Sequence, residues 1–184
     1  MNEPLKPTDE QQDIVARMLL AAAVRVSTML DGVSNWLTIN LGIILSFIFG
    51  NIDKLINYVD VEKIKNAVFL YVFILLLALL QKRMSLLISS ANEGDRIVRE
   101  AISISGPGVV DARFYISEYL DATYRPRRYF MEKQLEKIRA KREAGDHVWY
   151  SKELARAAQR QEIYVFLQAV ITIVIASLFA TAIK

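Results

Sequence analysis

The chain has 184 residues, of which 53% are hydrophobic and 23% charged, with a formal net charge of +3. With 7 glycines and 4 prolines it is neither a disordered nor an all-β composition. The absence of cysteine excludes disulfides, thiolate nucleophiles and cysteine-based metal sites.

The first 13 residues carry Glu3, Asp9, Glu10 and Asp13 against the single Lys6. A secretory signal needs a basic start followed at once by an apolar run. This acidic start is expected to be a solvated tail. Residues 14–30 are Ala/Leu-rich and helical in character, with Asp31-Gly32 expected to stop the helix. Arg17 and Arg25 interrupt the apolar run, and each would cost ~2.5–3.5 kcal/mol at a bilayer centre. They lie roughly 80° apart around a helix and can share one face. Residues 1–32 are therefore expected to be a tail and an amphipathic helix at the membrane surface or against the cytosolic part, rather than a span.

Charge segregation then sets the plan of the rest. A bilayer excludes charge over ~20 consecutive helical residues. Residues 33–50 carry none, and Trp36 sits near one end as interfacial anchors do. Residues 51–63 are short and mixed in charge. A second span, residues 64–81, ends at Lys82-Arg83. Residues 82–162 hold 16 of the 23 Lys/Arg and 12 of the 20 Asp/Glu. Within them, helices are expected over 95–105, stopped by Gly106-Pro107-Gly108, over 109–123, and from Pro126 to Ala144. Proline is favoured in a first helical turn. Gly145 is the expected C-cap and Asp146 an N-cap. A further helix starts near His147 and is free to run on into residues 163–183, 21 residues without a charge. The predicted fold is thus all-α: an integral membrane protein with three transmembrane helices, at 33–50, 64–81 and within 163–184, and a basic cytosolic helical segment, 82–162. The positive-inside rule puts that segment and the N-terminus in the cytosol and loop 51–63 outside. A bacterial inner membrane is the expected location.

Few residues suggest chemistry. In the first span Ser34, Thr38, Gly42, Ser46 and Gly50 recur at every fourth position, a stripe of small residues along one helix face. Such stripes let two backbones approach closely. Three uses are open: packing on another span of the same chain, self-association, or lining a narrow pore. Asn40, on the opposite side, needs a polar partner in lipid. In the last span Gln168 and Thr172 share a face, with Ser177 and Thr181 nearly opposite, and Gln168 is the expected interhelical hydrogen-bonding group. No span has an ionisable residue at its centre, which weighs against a proton-coupled or voltage-driven transporter and leaves a dewetting pore open.

Arg125, Arg127 and Arg128 lie among Tyr124, Tyr129 and Phe130, a cluster able to grip a phosphate or line anionic headgroups. Met131, Leu135 and Ile138 span less than two heptads. His147, the only histidine, stands five residues after Arg142, a spacing found in some helical ribonucleases, with Gly145 expected to break the helix between them. No phosphate loop, Ser/His/Asp set or metal-ligand spacing occurs. No catalytic activity, cofactor or metal is expected, and nucleic acid is not an expected partner.

The helix from Ile14, the closely spaced spans 33–50 and 64–81 and the charged helical tail after Lys82-Arg83 together resemble the SLATT family, small two-span membrane effectors of bacterial conflict and anti-phage systems. The resemblance is one of architecture over roughly 150 residues, and the third span departs from it. It implies a homo-oligomer that damages the bilayer when a partner signals infection. The function expected is accordingly an oligomeric pore or membrane-perturbing effector gated by its cytosolic helices through a protein partner or an anionic ligand. The alternative is a non-catalytic anchor that holds a cytosolic partner at the membrane.

Overall fold

The computed structural model describes residues 8–55, 57–105 and 125–183. All their named elements are helices: α1 (Asp9–Gly50), α2 (Ile52–Leu55), α3 (Val61–Ser105), α4 (Arg125–Glu143) and α5 (Trp149–Ala182). The helix expected over 109–123 lies outside the described residues. So do the side chains of Arg125, Arg127 and Arg128, although α4 begins at Arg125.

Several helix ends follow from local chemistry. Thr8 and Gln11 form a reciprocal capping box: the Gln11 amide donates to Thr8 Oγ1 (3.3 Å) and the Thr8 amide to Gln11 Oε1 (3.0 Å). The acidic Asp9 and Glu10 then sit in the first turn, where the helix dipole favours them. Asp60 caps α3 by accepting from the Glu62 amide at 3.0 Å. α4 closes in a Schellman motif: Gly145 N–H reaches Arg142 O (2.9 Å), Asp146 N–H reaches Lys141 O (2.9 Å), and Gly145 has φ of +79°. The glycine break expected from the sequence is thus present, and it separates Arg142 on α4 from His147 in the following turn.

One expectation is overturned. Asp31-Gly32 does not stop the first helix; α1 runs through it without a break. A mid-helix glycine costs about 1 kcal/mol. Against that, a continuous buried seam of Ala23, Ser27, Leu30, Ser34, Leu37 and Leu41 passes across both residues, and Asp31 is held by Lys82 Nζ at 2.6 Å. Likewise α3 continues past Lys82-Arg83 with no gap before residue 95 and is described to Ser105; the Gly-Pro-Gly stop expected at 106–108 lies outside the described residues. The helix from Trp149 runs unbroken to Ala182.

The chain divides into two compact units. One draws on Met1–Ala22 and Ser89–Ala155, the other on Ala23–Ile88 and Arg156–Lys184. These divisions fall inside helices rather than at the changes of charge. In the first unit the His147 amide donates to Gln12 Oε1 (3.1 Å), and its ring stands 3.7 Å from Asp9 Oδ1. α3 there carries an exposed ladder of ion pairs, Arg96 with Glu93 and Glu100 and Arg99 with Asp95. The hydrogen bond from Arg96 holds the Glu93 carboxyl below its usual range, and both acidic partners hold the Arg96 guanidinium in its charged form. It is a solvated helix face of i,i+3 and i,i+4 pairs.

The second unit packs three helical segments around one seam. Ala67, Ile74, Gln81 and Ile88 of α3 recur every seven residues, as do Gln161, Gln168, Ile175 and Ala182 of α5, and all eight are buried. The alternating steps of four and three on α1 match them. This is the 3.5-residue repeat of coiled-coil packing. Leu41, Ala67, Ile74 and Ile175 form the apolar centre, with Leu70, Tyr71, Ile171, Leu178 and Phe179 against it. At one end the chain folds back on α5: Val59 and Ile183 form an isolated antiparallel bridge, the Asp60 amide reaches Ala182 O (2.9 Å), and Lys63 Nζ reaches Thr181 O (2.6 Å). The last carbonyls of α5 are thereby satisfied, one of them by a cation, as the helix dipole favours. α1, α3 and α5 are each long and apolar enough to cross a membrane.

Replacing Gly145 by alanine should cost about 1 kcal/mol, because an L-side chain strains at positive φ, whereas Gly145→Asn should lose less. The midpoint of unfolding followed by circular dichroism measures both; equal stability of Gly145→Ala and the parent chain would contradict the motif.

Candidate functional site

The small-residue stripe of α1 divides into two halves with different surroundings. Ser34 is buried; Thr38 and Gly42 are half-buried; Ser46 and Gly50 are exposed. The first half faces α3 of the same chain. Tyr71 Oη donates to the backbone oxygen of Thr38 at 3.2 Å, and Thr38 Oγ1 donates to Ser34 O at 2.8 Å. A Cβ on Gly42 would lie 2.7 Å from Tyr71 Oη, so glycine is what lets the phenol reach the α1 backbone. A Cβ on Gly50 would meet nothing within 4 Å. Of the three uses left open by the sequence, packing within the chain accounts for Ser34, Thr38 and Gly42. Ser46 and Gly50 remain on an open face.

Asn40, expected to need a polar partner, has one in its own helix: its Nδ2 donates to Trp36 O at 2.7 Å. Ser177 and Thr181 do the same, donating to Ile173 O and Ser177 O at 3.0 Å each. Gln168 behaves as expected of it: its Nε2 donates across to Ile74 O of α3 at 3.3 Å. Thr172, on the same face, bonds Gln168 O at 2.7 Å.

The sequence did not single out the other half of this arrangement. Gln161, one heptad before Gln168, donates through Nε2 to Gln81 O at 3.1 Å, and Gln81 and Gln161 are both buried. Next to Gln81, Lys82 pairs with Asp31. Ser34, Gln81, Gln161 and Gln168 thus place polar side chains inside the unit, with the Asp31–Lys82 pair at its edge. Their common signal was present as a seven-residue spacing, 74–81–88 against 161–168–175, but those residues sit at or across the ends of the apolar runs. A scan for runs divides the repeat where the charges begin.

Outward, the polarity is reversed. Trp36, Phe47, Phe69, Leu79, Phe166 and Ile173 are each 65–68% exposed. Of the most apolar 18-residue stretches of α1, α3 and α5, only 22, 22 and 17% of the residues are buried. Large apolar side chains face out on all three segments, while Gln81 of α3 and Gln161 and Gln168 of α5 face in, with the hydroxyls of Ser27 and Ser34 on α1. Among the described residues no group of three or more His, Asp or Glu side chains is placed to hold a metal ion.

Gly42→Ala should push the Tyr71 hydroxyl aside and break its bond to Thr38 O, a loss of about 0.5–1.5 kcal/mol relative to what the better helix former would otherwise gain. In a Tyr71→Phe background most of that loss should vanish, since the nearest remaining ring atom would lie 3.7 Å from the new methyl. A double-mutant cycle on unfolding midpoints reads the coupling; additive losses would show that the two residues do not touch. No protein-family model, curated protein or solved structure matches this chain.

Proposed function

We propose that the chain is a three-span membrane protein that assembles through the outer faces of its spans and perturbs or permeabilises the bilayer. The observation that carries this is the inverted polarity of the second unit. In water, such a continuous apolar surface on three helices would drive aggregation. In lipid it is the favoured exterior, and the glutamines then belong inside, bonded to backbone carbonyls of a neighbouring helix. A span needs ~20 residues, which α1, α3 and α5 each exceed.

The positive-inside rule orients the assembly with Lys82, Arg83, Arg156 and Arg160 at the cytosolic face and the Val59–Ile183 end on the other side. In this reading a partner or an anionic ligand bound by the cytosolic helices gates the spans. A bacterial inner membrane and a role as an effector in defence fit the resemblance to two-span effectors and remain part of the proposal.

Ser46 and Gly50, small and exposed, are the residues on which subunits would meet. The purified protein in dye-loaded liposomes is expected to release dye, and to migrate in detergent as an oligomer. Ser46→Leu/Gly50→Leu, which fills an open face and leaves the Tyr71 contact alone, should reduce both oligomer size and leakage several-fold. A monomer that leaks no dye, with or without its cytosolic partners, would defeat the proposal and favour an anchoring role.

A further inference from the structure

Five buried polar atoms of the second unit have no hydrogen-bond partner in the protein: Asp31 Oδ1, Ser34 Oγ, Gln81 Nε2, Gln161 Oε1 and Gln168 Oε1. An unsatisfied polar atom away from water costs about 1–3 kcal/mol. Five of them in one helical unit demand a common answer.

They share a column. Lys82–Asp31 and Gln161–Gln81 put Asp31, Gln81 and Gln161 at one level. Gln168 bonds Ile74 O one heptad deeper, ~10 Å away by helical rise. Ser34, three residues beyond Asp31 on α1, falls between them. Donors and acceptors are both left over: Gln81 Nε2 and the Ser34 hydroxyl on one side, Asp31 Oδ1, Gln161 Oε1 and Gln168 Oε1 on the other. Lys82 Nζ bonds Asp31 Oδ2, and Gln161 and Gln168 each use one amide proton on a backbone carbonyl. A small molecule able both to donate and to accept is what fits such a mixed set.

We propose that this column binds water: a short file of about two or three molecules running from Asp31 to Gln168, each with about three polar partners. The file has a wet end and a dry end. Lys82 and Asp31, with side chains 48% and 20% exposed, stand at the wet end. Past Gln168 the interior turns apolar at Leu41, Ala67, Ile74 and Ile175, the last three with no exposure at all. That constriction lacks any polar atom to hold water and stops the file, as hydrophobic gates do by dewetting. Resting on the membrane reading above, the file lies inside one chain, enters from the cytosolic face and ends at the Ile74–Ile175 plug, apart from the outer faces on which subunits would meet.

The test is water-edited solid-state NMR of the full chain in liposomes, with glutamine side chains and alanine backbone amides labelled with ¹⁵N and the Ala67 signal assigned from Ala67→Gly. Gln81→Met, Gln161→Met and Gln168→Met assign the signals. The Gln161 and Gln168 amides should take up water polarisation within about three-fold of the rate of the exposed Gln159, and at least ten-fold faster than the Ala67 amide. If Gln168 is as slow as Ala67, the file is absent; if Ala67 is as fast as Gln168, the plug is absent. Dye release from the same liposomes separates the two proposals. Slow water transfer with leakage overturns the file and leaves the pore, whereas rapid transfer without leakage leaves the file and overturns the pore.

Discussion

A carboxamide surrounded by hydrocarbon must find a hydrogen-bond partner, and the second unit is arranged around that demand. Gln161 and Gln168 each send an amide proton to a carbonyl of α3, at Gln81 and Ile74, seven residues apart on both helices. Two equal steps on antiparallel segments fix the register of α5 against α3. A shift by one residue would turn both amides outward and strand them. Contacts of this kind contribute about 0.6–2 kcal/mol each in a membrane setting. Their larger effect is on specificity, because apolar surfaces of leucine and isoleucine pack in many registers and a glutamine in few.

The α1–α3 pair is fixed by a different device. Gly42 removes the side chain that would stand in the way of Tyr71, whose hydroxyl then bonds the α1 backbone at Thr38. One turn beyond Ser34, Asp31 meets Lys82 near the end of the apolar region. A partly exposed ion pair of that kind contributes little energy, about 0–1 kcal/mol. It nevertheless satisfies a charge that the unbroken helix carries to the edge of the apolar seam. At the other end, Lys63 and the Asp60 amide occupy the carbonyls left free where α5 stops. Polar contacts therefore bracket an apolar centre, and the centre is what separates the two ends of the interior.

The stripe of small residues coincides with the packed seam only in part, and the reason is physical. Spacing by four marks a face of a straight helix, and Ser34 to Gly50 do share one. Helices that pack along their length keep contact at 3.5 residues per turn, so a strict i,i+4 row drifts out of the seam. Ser34 is in the seam, Gly42 at its edge, and Gly50 outside it. The row that stays in contact is Ala23, Ser27, Leu30, Ser34, Leu37 and Leu41, and only one member of the predicted stripe belongs to it.

By itself the sequence determined that the chain is helical, that three stretches are apolar enough to cross a membrane, and where α4 ends, because charge exclusion and the Gly145 turn act over a few residues. It also pointed to Gln168 as an interhelical donor, since an amide within an apolar run has few other fates. Tertiary structure alone decided that Asp31-Gly32 continues a helix, because the stabilising seam and Lys82 lie on other turns and another helix. It also decided that Gln161 meets the backbone of Gln81, and that Lys82 of α3 meets Asp31 of α1. Those outcomes depend on register between distant segments, and register is a property of packed surfaces that no single stretch of chain contains.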